Sequence, residues 1–250
     1  MAEPVYRPVI GFARAVFAYL GLKFDVTGSE LVPRTGGAVV AMNHVGYLDF
    51  ALAGFAFRPQ KRMVRFMAKK EVFDHKISGP LMRGMKHIPV DREAGAGSYQ
   101  AAVAALRSGE LVGVFPEATI SQSFELKEFK NGAVRMAVEA GVPIIPVIVW
   151  GSQRVWTKGR PKALKRNHVP IRIVVGEPFT PADPDPALAT KDLKARMQVL
   201  LDQARASYPD PAEPGAWWMP AALGGSAPTL ADAEAADAQE RAARAARRAG

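Results

Sequence analysis

A histidine and an aspartate five positions apart follow an apolar run, and they are suited to acid–base chemistry. The run at 38–42 has the composition of a buried strand, and apolar residues return to helical spacing after Gly46. His44 is therefore expected at a strand-to-helix junction, where Asp49 can fold back across one turn toward the imidazole. Such a pair can remove a proton from a hydroxyl near neutral pH. The same spacing also fits a histidine that caps the helix or is buried in the core.

Strands and helices alternate along the chain around this pair. Apolar strands are predicted at 23–27, 38–44, 61–68, 87–90, 111–115, 142–150 and 169–175, and helices at 49–57, 77–85, 98–107, 131–140 and across 188–204. The alternation predicts an α/β fold with a mixed, largely parallel central sheet flanked by helices. Pro143 and Pro146 limit hydrogen bonding in the strand at 142–150, which favours an edge of the sheet or an irregular segment.

Two segments outside this α/β domain, which is assigned to residues 23–206, differ from it in composition. Residues 1–22 are predicted to form an amphipathic helix rich in apolar and aromatic side chains, suited to a membrane interface or to packing on the domain. Residues 207–250 are rich in proline and alanine and are predicted to be a tail, partly helical or disordered. Within it, 217–219 is a Trp-Trp-Met cluster suited to anchoring on the body or on lipid, and 230–249 is expected to be a solvated helix without an apolar face.

Composition limits the classes of partner and of site. The chain has 33 Lys and Arg against 24 Asp and Glu, a net charge of +9 that favours an anionic partner: nucleic acid, an anionic membrane surface or a phosphorylated substrate. It contains no cysteine, which excludes disulfides, thiolate metal sites and a cysteine nucleophile. Its histidines lack metal-ligand spacing, so no metal site is expected. No apolar run reaches about 20 residues, so a peripheral position on the cytoplasmic face of the cell membrane is expected.

Four clusters of residues at the ends of strands carry a family resemblance. They are Asn43–Asp49, Ile88–Arg92, Val114–Thr119 and Val142–Val147. In this order they resemble the four motif blocks of the glycerolipid acyltransferase family, in particular the 1-acylglycerol-3-phosphate acyltransferases. The segment Phe129–Ala133 is similar to the one that precedes the last block in that family.

The resemblance implies transfer of a fatty acyl group from acyl-coenzyme A, or from acyl carrier protein, to the free hydroxyl of 1-acylglycerol-3-phosphate. The product would be phosphatidic acid, made with no cofactor besides the acyl donor. His44 would act as general base for the attacking hydroxyl, and Asp49 would fix the imidazole tautomer and stabilise the imidazolium.

The resemblance also assigns residues to the binding of the acceptor. Arg92 takes the position that binds the acceptor's phosphate, although on the residues alone a surface salt bridge with a neighbouring acid fits as well. Lys130 is a second candidate cation for the phosphate. Glu117 is expected to accept hydrogen bonds from the acceptor's glycerol portion or from loop backbone amides, and Thr119 belongs to the same acceptor-binding block.

One position departs from the family pattern, because Ile120 stands where the third block normally has an arginine. Either Arg92, Lys130 and a cation from the loop at 151–154 bind the phosphate, or the acceptor is glycerol-3-phosphate or another lysophospholipid.

A non-catalytic basic protein that binds lipid or nucleic acid is the alternative from another class. Nucleic acid is not the expected partner, because the basic residues are scattered and lack an aromatic stacking face. The oligomeric state stays open.

Overall fold

A seven-stranded sheet forms the centre of the molecule in the computed structural model, which describes residues 3–91 and 95–249. Its strands are β1 (Lys23–Thr27), β2 (Ala38–Met42), β3 (Val64–Lys69), β4 (Ile88–Val90), β5 (Leu111–Val114), β6 (Ile144–Trp150) and β7 (Pro170–Val175). The spatial order is β1-β7-β6-β2-β5-β3-β4, and of these neighbouring pairs β6 and β7 run antiparallel while the others are parallel. The predicted mixed, largely parallel sheet is confirmed.

Helices cover both faces of the sheet. They are α1 (Tyr6–Leu20), α2 (Asp49–Ala53), α3 (Lys70–Asp74), α4 (Ser78–Gly84), α5 (Gly95–Arg107), α6 (Gly132–Ala140), α7 (Pro186–Ala206) and α8 (Leu230–Ala249). Because side chains alternate along a strand, β2 contributes to two cores. Val39 and Ala41 pack with α5, α6 and α7 on one face, whereas Val40 and Met42 pack with α1 and α2 on the other. Every residue of β2 is buried, so the loop that follows starts from a rigid element.

The proline-containing strand β6 lies inside the sheet, between β7 and β2, so its predicted place at an edge is wrong. Pro146 pairs with Ala41 of β2, and its carbonyl accepts a hydrogen bond from Gly176, one residue beyond the end of β7. The backbone N–H that Pro146 lacks would therefore point toward Gly176, where the hydrogen-bonded pairing of β6 with β7 ends. A central strand tolerates proline here because only one ladder bond is lost.

The N-terminal helix α1 is present as predicted, and it packs on the domain. Tyr6, Phe17 and Leu20 are buried, while Phe12 and Tyr19 are 72% and 66% exposed. The helix thus has one face in the core and a second face with aromatic side chains in solvent. Within the two described ranges, no helix combines the length and the apolar character that crossing a bilayer requires.

The C-terminal segment contains a helix over 230–249, as predicted, and several of its side chains are buried against the body. Trp218 is buried beside Tyr208 and lies under the guanidinium of Arg154, which places the Trp-Trp-Met cluster on the body. Helix α8 docks through Ala233 and Asp237, both of which are buried. These positions lie four residues apart on one face, and the face is small and polar instead of apolar.

Candidate active site

Three parallel neighbouring strands end at the same edge of the sheet and bring together residues that are far apart in sequence. β2 lies between β5 and β6, and the carboxyl ends of parallel strands in an open sheet meet where ligands bind. His44 follows β2, Glu117 follows β5 and Ser152 follows β6. The sheet topology therefore builds one site from three loops.

The loop after β2 wraps around the Asp49 carboxylate. Oδ2 of Asp49 lies 3.0 Å from Nδ1 of His44 and accepts hydrogen bonds from the backbone N–H groups of Val45 at 2.7 Å and Gly46 at 2.8 Å. Oδ1 accepts a hydrogen bond from the hydroxyl of Ser152. Asp49 is fully buried, and these donors compensate its charge. The predicted approach of Asp49 to His44 is confirmed.

The imidazole of His44 is fixed on a second side by an aromatic ring. Phe115 stacks on it with ring centroids 4.0 Å apart and planes at 18°. The side chain of His44 keeps 19% exposure and lines a cavity. With Nδ1 bonded to the Asp49 carboxylate, Nε2 is the nitrogen that can accept a proton from a group in the cavity.

Glu117 connects the loop after β5 to the histidine loop. Its Oε1 accepts a hydrogen bond from the backbone N–H of His44 at 2.9 Å, and its Oε2 accepts one from the backbone N–H of Lys127 at 3.2 Å. Of the two roles left open by the sequence, the structure thus shows the bonds to loop amides. Burial raises the pKa of Glu117 to about 7, against the lowering effect of these two amides.

A cavity of about 1190 Å³ opens in front of His44. One part of its wall is apolar, from β3, the end of β5 and helix α6. The rest carries charged groups from the end of β3, from α3, from the loops and from α8. The lining includes Tyr47, Phe50, Phe66, Met67, Val72, Met82, Val90, Phe115 and Met136 among the apolar and aromatic side chains, and Lys69, Glu71, Lys130, Lys158, Asp237, Glu240 and Arg241 among the charged ones. Such a wall suits a ligand with a long apolar part and an anionic head.

The other residues expected to bind the acceptor have different positions. Lys130 is exposed and lines the cavity, and its backbone N–H donates to the carbonyl of Pro116. Thr119 also lines the cavity. Arg92 lies outside the described residues. Arg154, from the loop at 151–154, forms an ion pair with Asp210 at 2.5 Å and does not line this cavity, so its contact with the phosphate stays a prediction.

Several residues that build the site were not singled out from the sequence. Ser152 completes the hydrogen bonding of Asp49, and the Asn43 amide bonds both backbone groups of Val149, which ties the end of β2 to β6. Asn43 and Ser152 each follow the end of a strand, and this position is the feature of the sequence that could have indicated their place in the site. The sequence did not indicate a place for Asp237 in the site, because this residue lies in an alanine-rich helix more than 100 residues after Glu117.

A family model described as Acyltransferase matches residues 23–150. The 1-acyl-sn-glycerol-3-phosphate acyltransferase of Bacillus subtilis is 31% identical over 197 residues, a match that covers 76% of this chain and 92% of that protein. The enzyme of the same name from Borreliella burgdorferi is 26% identical, with 55% of each chain covered.

A solved structure shares the fold. It is the 1-acyl-sn-glycerophosphate acyltransferase PlsC from Thermotoga maritima, with a TM-score of 0.65 and 24% sequence identity over 79% of this chain and 78% of that one. The match of the family model includes both strands that carry the histidine and glutamate loops, and the Bacillus subtilis protein is matched over nearly its whole length. This chain therefore belongs to the acyltransferase family.

Proposed function

We propose that the protein transfers a fatty acyl group from an acyl thioester, acyl-coenzyme A or acyl carrier protein, to the free hydroxyl of 1-acylglycerol-3-phosphate, giving phosphatidic acid. The observation that carries this proposal is the placement of His44, held by Asp49 through Nδ1, on the wall of a large, partly apolar cavity. The names of the Bacillus subtilis and Borreliella burgdorferi relatives support the acceptor.

The proposed reaction is a direct attack on the thioester. Nε2 of His44 takes the proton from the acceptor hydroxyl as its oxygen forms a bond to the thioester carbonyl carbon. The tetrahedral intermediate then expels the thiolate, which receives the proton from the imidazolium and leaves as the free thiol. Asp49 keeps Nδ1 protonated and stabilises the imidazolium, and general-base catalysis of this kind contributes about 10² to 10⁴ in rate.

The acceptor's head requires cations near the cavity. Lys130 supplies one ammonium group on the wall, and Arg92 is proposed for a second contact with the phosphate from its position in the sequence motif. Glu117 is proposed to act on the acceptor indirectly, through the loops that it joins. A peripheral position on the cytoplasmic face of the membrane, from which a lipid substrate can enter, is part of this proposal. The exposed aromatic face of α1 supports the contact with a membrane.

A thiol-release assay tests the proposal with acyl-coenzyme A and acyl carrier protein as donors. The acceptors are lysophosphatidate, glycerol-3-phosphate and lysophosphatidylcholine. We expect turnover with lysophosphatidate, and a loss of about 100-fold or more in His44→Ala. His75→Ala serves as control, because His75 is an exposed histidine at the end of α3. Full activity in His44→Ala, or no transfer to any acceptor by the wild type, would refute the function.

A further inference from the structure

A carboxylate of α8 is held at the cavity wall by two ammonium groups and a hydroxyl. Oδ2 of Asp237 lies 2.7 Å from Nζ of Lys127 and accepts a hydrogen bond from the hydroxyl of Thr119 at 3.1 Å. Oδ1 lies 2.8 Å from Nζ of Lys158. Both oxygens are therefore bonded by donors that come from two loops of the body, one after β5 and the other after β6.

We propose that Lys127, Lys158 and Thr119 form a binding subsite for a phosphate monoester, and that Asp237 occupies this subsite in the absence of substrate. Two ammonium groups and a hydroxyl around one small anion are the donors by which proteins bind phosphate oxygens. The inference rests on the proposed function, because phosphate monoesters are present in the lipid acceptor and in coenzyme A.

The subsite is part of the same cavity as His44. Thr119, Lys158 and Asp237 line that cavity, and the Lys127 ammonium lies within 3.5 Å of the carbonyl of Ile120. Lys127 also reaches the histidine loop, because its backbone N–H donates to Glu117, which accepts a second bond from His44. A ligand bound by Lys127 would thus be connected to the reacting loop through one carboxylate.

The docking of α8 is suited to displacement. Among its described side chains, Ala233 and Asp237 are buried, so little apolar surface becomes exposed to water when the helix moves away. The contact depends instead on ion pairs: those of Asp237, and one between Lys158 and Glu240 at 2.5 Å. Hydrogen bonds from Lys127 and Lys158 overcome the effect of burial and lower the pKa of Asp237 to about 2, so it is ionised at neutral pH. A phosphate dianion carries more charge than this carboxylate and can replace it.

Calorimetric titration of the full chain with glycerol 3-phosphate tests the subsite without need for turnover. Removing the internal competitor by Asp237→Asn should tighten binding about tenfold, the factor expected if the carboxylate occupies the subsite nine-tenths of the time. Glu234→Gln is the matched control, since it removes one exposed acid from the same helix. Equal affinity of wild type, Asp237→Asn and Glu234→Gln for glycerol 3-phosphate and also for coenzyme A would overturn the proposal, with thermal melting used to show that the variants are folded.

The double variant Lys127→Gln/Asp237→Asn replaces the ion pair by two amides that can still bond each other. It should lose the gain in affinity, and retention of that gain would exclude Lys127 as a ligand. Hydrogen exchange across α8 in the wild type should become faster when glycerol 3-phosphate is added, because the helix is released. Unchanged exchange at saturating glycerol 3-phosphate and at saturating coenzyme A would exclude displacement of Asp237.

Two further ligands identify the source of the phosphate. If Asp237→Asn tightens glycerol 3-phosphate, the subsite serves the acceptor. If it tightens coenzyme A and leaves dephospho-coenzyme A and glycerol 3-phosphate unchanged, the subsite serves the donor. Failure of the proposed function is seen separately, as absence of thiol release by the wild type with every acceptor.

Discussion

The backbone N–H of His44, after β2, donates a hydrogen bond of 2.9 Å to the side chain of Glu117, after β5. Because Glu117 is buried and its other oxygen accepts from Lys127, this carboxylate holds the histidine loop against the loop that lines the cavity. The geometry of the proposed base thus depends on the side chain of a second residue, which does not itself line the cavity.

The free energy of unfolding should vary with pH because of the ionisation of Glu117. Burial raises its pKa from 4.5 to about 7, so between these pH values the folded chain keeps a proton that the unfolded chain has released. The contribution of Glu117 to stability is therefore greatest below pH 4.5 and falls as the pH rises through 7. In Glu117→Gln this dependence is absent, so the stability of the variant relative to wild type should rise by about 3 kcal/mol from pH 4.5 to 8.

Urea unfolding at several pH values measures this difference. Glu128→Gln is the control, because Glu128 is exposed and its replacement should leave a difference from wild type that is constant with pH. If the difference in unfolding free energy between Glu117→Gln and wild type were also constant across this pH range, the raised pKa of Glu117 would be contradicted.

The hydrogen bonds around Asp49 should affect turnover more than substrate binding. Asp49→Asn keeps the shape but turns an amide N–H toward one of the donors, and we expect kcat to fall by about 10² to 10⁴ with little change in KM. Ser152→Ala removes one hydrogen bond to the carboxylate, and we expect kcat to fall roughly tenfold. Ser207→Ala, at the exposed end of α7, is the control and should match wild type. A rise in KM at unchanged kcat would assign Asp49 to substrate binding instead.

The fold and the His44–Asp49 pair could be predicted from the sequence because they depend on local patterns. The strand β2 is a continuous apolar run, and the carboxylate lies five residues after the histidine. The place of β6 could not be predicted, since its tolerance for Pro146 depends on where β7 ends. The docking of α8 was missed for a related reason. Its contact with the body is made by ion pairs of Asp237, and charged residues on a helix without an apolar stripe normally face water.

The buried ion pairs of Arg65 should stabilise the fold more than any surface pair. Arg65 is 3% exposed and contacts Glu3 at 2.5 Å and Glu110 at 3.2 Å, so it joins β3 to the segments that precede α1 and β5. Replacing it with methionine leaves Glu110 without this partner and Glu3 paired with Lys86, and we expect a loss of about 3 kcal/mol in the free energy of unfolding. The comparison is Arg196→Met, which breaks an exposed pair with Asp192 and should cost less than about 1 kcal/mol. Similar urea midpoints for the two variants would contradict this assignment.

The exposed aromatic face of α1 should determine binding to membranes. Phe12 and Tyr19 lie in solvent while Phe17 and Leu20 hold the helix on the body, so the exposed pair can be changed without disturbing the core. Full burial of one such side chain contributes about 1.5–3 kcal/mol, so Phe12→Ser/Tyr19→Ser should weaken co-sedimentation with anionic liposomes by roughly tenfold or more. Val199→Ser is the control, since Val199 is 57% exposed on α7. If both variants sedimented like wild type, the membrane contact would have to lie on another surface. Deletion of residues 1–21 is a poorer test, because it would also uncover the core that Phe17 and Leu20 fill.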